Sequence, residues 1–298
     1  MCGIAMDSLI GPYVRNIPLA LAAAKLWALG IGRVHPPLER LGYSRSLMGL
    51  SIRNPIGLAA GLDRTGSLLK GTLRAGYGFT EVGSVTVRTL GMTVRNLSRA
   101  RRQQTDLVVG VNIRSAPDKS EETVIANYIT CLHELLPFAD YIVLNLNAFI
   151  SPEHSHRNSE WLERLLSAAL NERDLFWQMC GKRIPLAIKF PLAAELSNVH
   201  RFLLQLCSEI NLDGVVAVAP TALTEPHVCE LIRGIKRIVG DVNIISVGGV
   251  GSADQVTARM EAGAAAVQVF SSVLKHGPYV SLRLLETLPT STDTEVPA

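Results

Sequence analysis

Paired glycines, Gly248 and Gly249, end the apolar run Ile244-Ile245-Ser246-Val247, and a second run, Ala266-Val267-Gln268-Val269-Phe270, leads into Ser271. A helical segment of about four turns fits between them. Strand, Gly-Gly, helix, strand and a small hydroxyl residue is how the last two units of a (β/α)8 barrel hold a phosphate. The glycines let backbone N–H groups approach the oxygens, and the following helix adds its positive end. The competing reading is a tight strand-to-helix turn that binds nothing. Lys189 is the second anomaly, because it closes the apolar run Leu186-Ala187-Ile188. A buried cation needs a partner or a task. It can stabilise negative charge developing on a reduced flavin ring, or its ammonium can snorkel to solvent at the strand end. Asn112 and Asn145 close two further apolar runs, with Asn147 just beyond.

These side chains need a frame that brings strand ends to one place. Apolar strand candidates fall at 56–60, 79–84, 107–113, 141–147, 186–190, 214–219, 244–247 and 266–270, with helical patterns between them. That alternation is the signature of a parallel α/β fold. Eight strands favour a closed (β/α)8 TIM barrel, in which chemistry gathers at the C-terminal strand ends. Those ends carry Ala59-Ala60-Gly61, Gly83-Ser84, Asn112, Asn145 with Asn147, Lys189, Ala219-Pro220, Gly248-Gly249 and Phe270-Ser271. The expected organisation is an N-terminal helical extension over 1–48, the barrel over 49–286 and a flexible polar tail over 287–298.

Composition bounds the function. A 298-residue chain accommodates one barrel of ~250 residues plus an extension. A net charge of +3 is too mild to argue for nucleic acid. The five cysteines (Cys2, Cys131, Cys180, Cys207, Cys229) form no C-x-x-C pair and no ligand set, so they read as reduced, mostly buried thiols of a cytoplasmic protein. Residues 17–32 are apolar apart from Lys25 and shorter than the ~20 residues that span a bilayer. With Arg15 and Arg33 as flanks, two readings stay open: an interfacial helix that makes the protein peripherally membrane-associated, or a helix packed on its own barrel.

In combination these motifs resemble the dihydroorotate dehydrogenase family, in its quinone-using class. The stretch Asn54-Pro55-Ile56-Gly57-Leu58-Ala59-Ala60-Gly61-Leu62-Asp63 is similar to that family's first-strand signature, and Gly76-Tyr77-Gly78-Phe79-Thr80-Glu81-Val82-Gly83-Ser84-Val85-Thr86 to its second. Gly110-Val111-Asn112-Ile113, Ala139-Asp140-Tyr141 leading to Asn145, Ala187-Ile188-Lys189 and the whole of 244–271 continue the likeness, which covers about 50–278. The resemblance implies FMN over the barrel mouth, a small-molecule substrate and a quinone-docking role for the N-terminal helices. Ala59, Ala60 and Ser84 would line the flavin, and Asn112 and Asn145 would hydrogen-bond it or its partner. Lys189 would reach the isoalloxazine, while Gly248, Gly249, Phe270 and Ser271 would hold the ribityl phosphate.

The substrate half departs from the pattern. The family's fourth-strand loop reads Asn-x-Ser-Ser-Pro-Asn-Thr with a serine base, whereas here it reads Asn145-Leu146-Asn147-Ala148-Phe149-Ile150-Ser151. Ala148 stands at the base position and cannot take a proton; Ile150 replaces the substrate-binding asparagine. The Asn-Thr pair after the sixth strand becomes Ala219-Pro220, and the glycine-rich segment beyond it is deleted. The loop between Thr86 and Asp106 is short, and Arg64 stands where the family has a lysine. Losing a base removes a term worth ~10²–10⁴-fold in rate, and a site stripped of amide partners loses discrimination steeply. Replacement groups lie in Ser151-Pro152-Glu153-His154-Ser155-His156. His154 is the candidate base, and the alternatives for that loop are a metal pair or plain solvation; no metal site is assigned. Arg64 with Arg95, Arg99, Arg101 and Arg102 could draw an anionic substrate or form a solvated face. The expectation is an FMN-dependent oxidoreductase acting on a substrate other than dihydroorotate. Its alternatives are a catalytically silent FMN- or phosphate-binding paralogue and a dihydroorotate dehydrogenase (quinone) with an unusual base.

Overall fold

Continuous β-branched and aliphatic runs are what a strand covered on both faces requires. Eight of them form parallel strands: β3 (Ile56–Leu58), β4 (Phe79–Val85), β5 (Val108–Ile113), β6 (Tyr141–Asn145), β7 (Leu186–Pro191), β8 (Gly214–Val218), β9 (Asn243–Val247) and β10 (Ala266–Val269). The computed structural model describes residues 43–102, 107–117, 119–150 and 159–288. The strands pair in sequence order, and β10 returns to β3 to close the barrel. The expected (β/α)8 fold is therefore what the chain forms.

Helices α1 (Leu69–Arg74), α2 (Leu90–Arg101), α3 (Glu121–Leu135), α4 (Ser159–Cys180), α5 (Asn198–Glu209), α6 (Glu225–Val239) and α7 (Ala253–Glu261) lie between successive barrel strands. The short α8 (Ser271–His276) and α9 (Val280–Thr287) follow β10. Successive strand residues point to opposite faces. Ile142, Leu144, Ile188, Val215 and Ala217 join the helix-facing core. Tyr141, Val143, Ala187, Val216 and Ile245 form a separate cluster inside the barrel with Phe79 and Ala266.

A hairpin that the sequence did not signal fills the floor of that interior. Strands β1 (Arg45–Leu47) and β2 (Leu50–Ile52) pair antiparallel, so residues 45–47, assigned by sequence to a helical extension, are extended. Met48 and Gly49 between them both have positive φ, 52° and 78°, as the tightest hairpin turns require. Leu47, Met48 and Ile52 are buried in the inner cluster, and Met48 N donates to Asn243 Oδ1 at 3.1 Å. With one end of the barrel plugged by apolar side chains, the polar end is left to do chemistry.

Candidate functional site

The inward residues near the C-terminal strand ends are polar where those below are apolar. Glu81 on β4 is wholly buried, and its carboxylate accepts from three side chains. Lys189 Nζ on β7 forms an ion pair with Oε2 at 3.2 Å. Asn112 Nδ2 on β5 donates to the same oxygen at 3.3 Å. Gln268 Nε2 on β10 donates to Oε1 at 2.5 Å. Lys189 is 6% exposed, so it does not snorkel; burial is tolerated because the charge is paired and hydrogen-bonded. A second set of bonds carries the network toward the mouth. Asn145 Nδ2 on β6 donates to Asn112 Oδ1 at 3.0 Å and to Ser84 Oγ at 3.3 Å. Ser84 Oγ donates to Asn112 Oδ1 at 2.9 Å, and Tyr128 OH on α3 holds the Asn145 carbonyl at 2.5 Å. Burial pushes that phenol well above its ordinary range, so Tyr128 serves as a neutral donor.

The structure thus joins Ser84, Asn112, Asn145 and Lys189 in one network. It adds two members that sequence reading did not single out, Glu81 and Gln268. A signal for Glu81 existed: two barrel strands each carry one charge among apolar residues, and buried charges of opposite sign pair.

Beside this network the first strand delivers Ala59, which is buried, and Ala60, which is half-buried. Asp63 sets the turn that follows. Its Oδ1 accepts from the backbone N–H groups of Thr65, Gly66 and Ser67, and its Oδ2 from that of Leu68. Burial pushes this carboxyl upward against those four bonds. Phe270 packs on Gly61, its ring 3.0 Å from where a side chain would begin, so the last strand is pressed onto the first.

The Gly248-Gly249 turn is built for close approach. Both residues have positive φ, 98° and 75°, and a Cβ on Gly248 would lie 2.2 Å from the Ala219 carbonyl oxygen. The N–H groups of Gly249 and Val250 donate to no acceptor among the described residues, and neither do those of Ser271 and Ser272 at the start of α8. The Ser272 hydroxyl is hydrogen-bonded to the Val250 carbonyl, which holds the two groups of donors side by side. Backbone donors left over at a partly exposed glycine turn suit an anion's oxygens.

The turn after β6 is different in kind. Beyond Asn145 the chain makes a turn in which the Phe149 and Ile150 N–H groups both donate to the Leu146 carbonyl. Leu146, Phe149 and Ile150 are buried in the helix-facing core. Phe149 stacks on Trp161 of α4 with centroids 4.8 Å apart. Ile150 therefore lies in the apolar layer, and Ala148 offers only a methyl group. Asn147 keeps one buried acceptor, Oδ1, without a hydrogen-bond partner among the described residues. After β8, Ala219 is buried and Pro220 exposed. His154, with Ser151, Glu153 and His156, lies outside the described residues, as does the apolar segment 17–32. Among the described residues no cluster of His, Cys, Asp and Glu could hold a metal ion.

Arg64, Arg95, Arg99 and Arg102 are exposed, while Arg101 is tied to Asp140 Oδ2 at 2.7 Å and to the Phe138 carbonyl. The basic run is thus mainly a solvated helix face with one structural member. Cys131, Cys207 and Cys229 are buried free thiols and Cys180 is exposed.

Known proteins repeat this architecture. The family model for dihydroorotate dehydrogenase matches residues 221–291. Dihydroorotate dehydrogenase (quinone) of Burkholderia thailandensis is 30% identical over 287 residues, covering 78% of this chain and 81% of that protein. The corresponding protein of Burkholderia pseudomallei is likewise 30% identical, covering 78% and 82%. Among solved structures, DHODH of Eimeria tenella in complex with ferulenol matches with a TM-score of 0.77 at 22% identity, over 90% of this chain and 89% of that one. The ligand-free form matches at 0.79 and 21%, over 93% and 97%. At that identity the structural likeness speaks for the fold.

Proposed function

The chain belongs to the dihydroorotate dehydrogenase family, and from that premise we propose that it is an FMN-dependent oxidoreductase whose substrate is not dihydroorotate. The observation that carries this reading is the contrast between two halves of one barrel mouth. The network from Glu81 through Lys189 and Asn112 to Asn145 and Ser84 is complete, whereas the turn after β6 carries Ala148 and folds Phe149 and Ile150 into the core.

The residues present fit FMN. The N–H groups of Gly249, Val250, Ser271 and Ser272, which have no acceptor among the described residues, are suited to a phosphate. Ala59 and Ala60 present only methyl side chains, which suits a flat ring system. Lys189 is a buried cation in β7, two residues before the strand ends, where it would help offset negative charge on a reduced ring. Bound there, FMN supplies a two-electron acceptor; the rest of the chemistry belongs to the chain. Glu81 holds the Lys189 ammonium in place. Asn112 and Asn145 fix each other through Nδ2 and Oδ1, so any amide contact they make to cofactor or substrate is pre-oriented. Ala148 leaves proton abstraction to another group, and His154 is the candidate that the sequence supplies.

The relatives named dihydroorotate dehydrogenase (quinone) make a quinone the proposed electron acceptor. Peripheral membrane contact through the N-terminal segment of a cytoplasmic protein is part of the same proposal. No helix among the described residues is long and apolar enough to cross a membrane.

The test is the cofactor itself. Purified protein is expected to be yellow and to release a flavin whose mass is that of FMN, near one per chain. A chain that stays colourless after FMN is added contradicts the proposal and leaves a phosphate-binding or silent role. Ala148→Ser is expected not to restore dihydroorotate oxidation, because Ile150 and Ala219-Pro220 lack the amide partners as well.

A further inference from the structure

Arg259 on α7 is 1% exposed, yet it sits directly behind the glycine turn. Its Nη1 donates to the Gly248 carbonyl at 2.7 Å and to the buried Ser246 hydroxyl at 3.2 Å. Nε and Nη2 form a bidentate pair with Glu225, to Oε1 at 2.7 Å and Oε2 at 2.8 Å. Nη2 also lies 3.5 Å from where a Cβ on Gly249 would stand. Glu225 is the first residue of α6, where a carboxylate is favoured by the helix end. The short connection from β8, the place where the glycine-rich segment is missing, delivers it there. Gln255 completes the set: its Nε2 donates to Glu225 Oε2 at 3.2 Å, while its Oε1 accepts from the N–H groups of Gly251 and Ser252.

A peptide unit is planar and trans, so its C=O and N–H point in opposite directions. Arg259 draws the Gly248 oxygen backward into the protein, and the Gly249 N–H of the same unit must then point forward, where it has no acceptor among the described residues. A charged donor on the oxygen also polarises the unit and strengthens that N–H as a donor. Two glycines with positive φ would otherwise leave this peptide free to rotate.

We infer that Arg259, held by Glu225, is the positioning residue that sets the Gly248-Gly249 peptide for a phosphate monoester, and that it confers selectivity for FMN over unphosphorylated riboflavin. The inference rests on the flavin reading above. Arg259 does not itself touch the ligand; it acts through the turn. An effect confined to the phosphate separates this role from a merely structural one, because riboflavin shares every other contact.

The experiment is a pair of fluorescence titrations of the flavin-free full-length chain, with FMN and with riboflavin, for wild type, Arg259→Gln and Arg259→Lys. Wild type is expected to prefer FMN. Arg259→Gln is expected to weaken FMN about tenfold or more, the worth of a charge-assisted hydrogen bond, with riboflavin binding unchanged. Arg259→Lys keeps the cation but cannot bridge Glu225 and Gly248 together, and falls between the two. If Arg259→Gln does not fold, the ratio in Arg259→Lys decides alone: a ratio below wild type supports the inference, an unchanged one overturns it. An unchanged FMN-to-riboflavin ratio in folded Arg259→Gln, or equal losses for both ligands, overturns it too. A wild-type chain that binds neither flavin overturns the flavin reading and this inference with it. A wild-type preference for FMN that survives in both variants overturns the inference alone.

Discussion

At the scale of single residues, the site is governed by how buried charge is compensated. Lys189 and Glu81 are each nearly sealed from solvent, 6% and 0% exposed, so removing one strands the other. Breaking such a pair costs about 3–5 kcal/mol, whereas replacing both partners costs far less. Lys189→Met and Glu81→Gln are each expected to lower the urea midpoint strongly, and the double variant to recover much of the loss. Equal and additive losses would mean the two charges act independently. Gly248→Ala meets a different obstacle, since its Cβ would lie 2.2 Å from the Ala219 carbonyl oxygen at a φ of 98°. That variant is expected to lose FMN binding while the far end of the barrel keeps its amide-exchange protection. Much of this was legible in the sequence, because a lysine or a glycine pair ending an apolar run is conspicuous. Gln268 was not, since a neutral amide in a strand carries no signal until its partner across the barrel is known. The fate of Ile150 was equally hidden: an apolar residue in a loop reads the same whether it lines a pocket or joins the core.

At the scale of elements, the turn joining β7 to α5 (Asn198–Glu209) shows how the frame holds the strand that carries Lys189. His200 is the third residue of α5 and completes a capping box with Ser197. Its Nε2 lies 2.8 Å from the Pro191 carbonyl, two residues beyond Lys189. Burial holds its imidazole below the usual 6.5, so the folded state favours the neutral ring. Between the lowered folded pKa and 6.5 the unfolded chain binds more protons, and stability rises with pH through that window. Acidification from pH 7.5 into that window is expected to lower the urea midpoint of wild type. His200→Gln retains a capping-box residue and should lose less over the same interval; an identical pH profile would sink this assignment. The eight barrel strands were readable because parallel strands buried on both faces leave long apolar runs. The hairpin of β1 and β2 was not, since strands of three residues with exposed Arg45, Ser46 and Ser51 fall below any periodic signal. Tertiary burial of Leu47 and Ile52 makes that hairpin.

At the scale of the whole molecule, the barrel divides its labour by sector. Strands β4 to β7 and β10 supply the charged and amide network, the turn after β9 and the segment after β10 supply backbone donors with no acceptor among the described residues, and the turn after β6 folds Leu146, Phe149 and Ile150 into the apolar core. The chain matches its relatives over most of their length, so on the proposed reading the difference is local: the scaffold is shared and one wall of the mouth departs from it. On that reading the departures are legible in the sequence, since each, such as Ala148 or Ile150, is a single residue, but the molecule that fits is not. That depends on residues from several connections, and 151–158 lie outside the described residues. The measurement that bears most directly on this account is an anaerobic titration of the FMN-loaded protein with dihydroorotate, followed by absorbance. The oxidised flavin spectrum is expected to persist through excess dihydroorotate and to bleach with a chemical reductant. Stoichiometric bleaching by dihydroorotate would contradict the account and return the protein to its relatives' reaction.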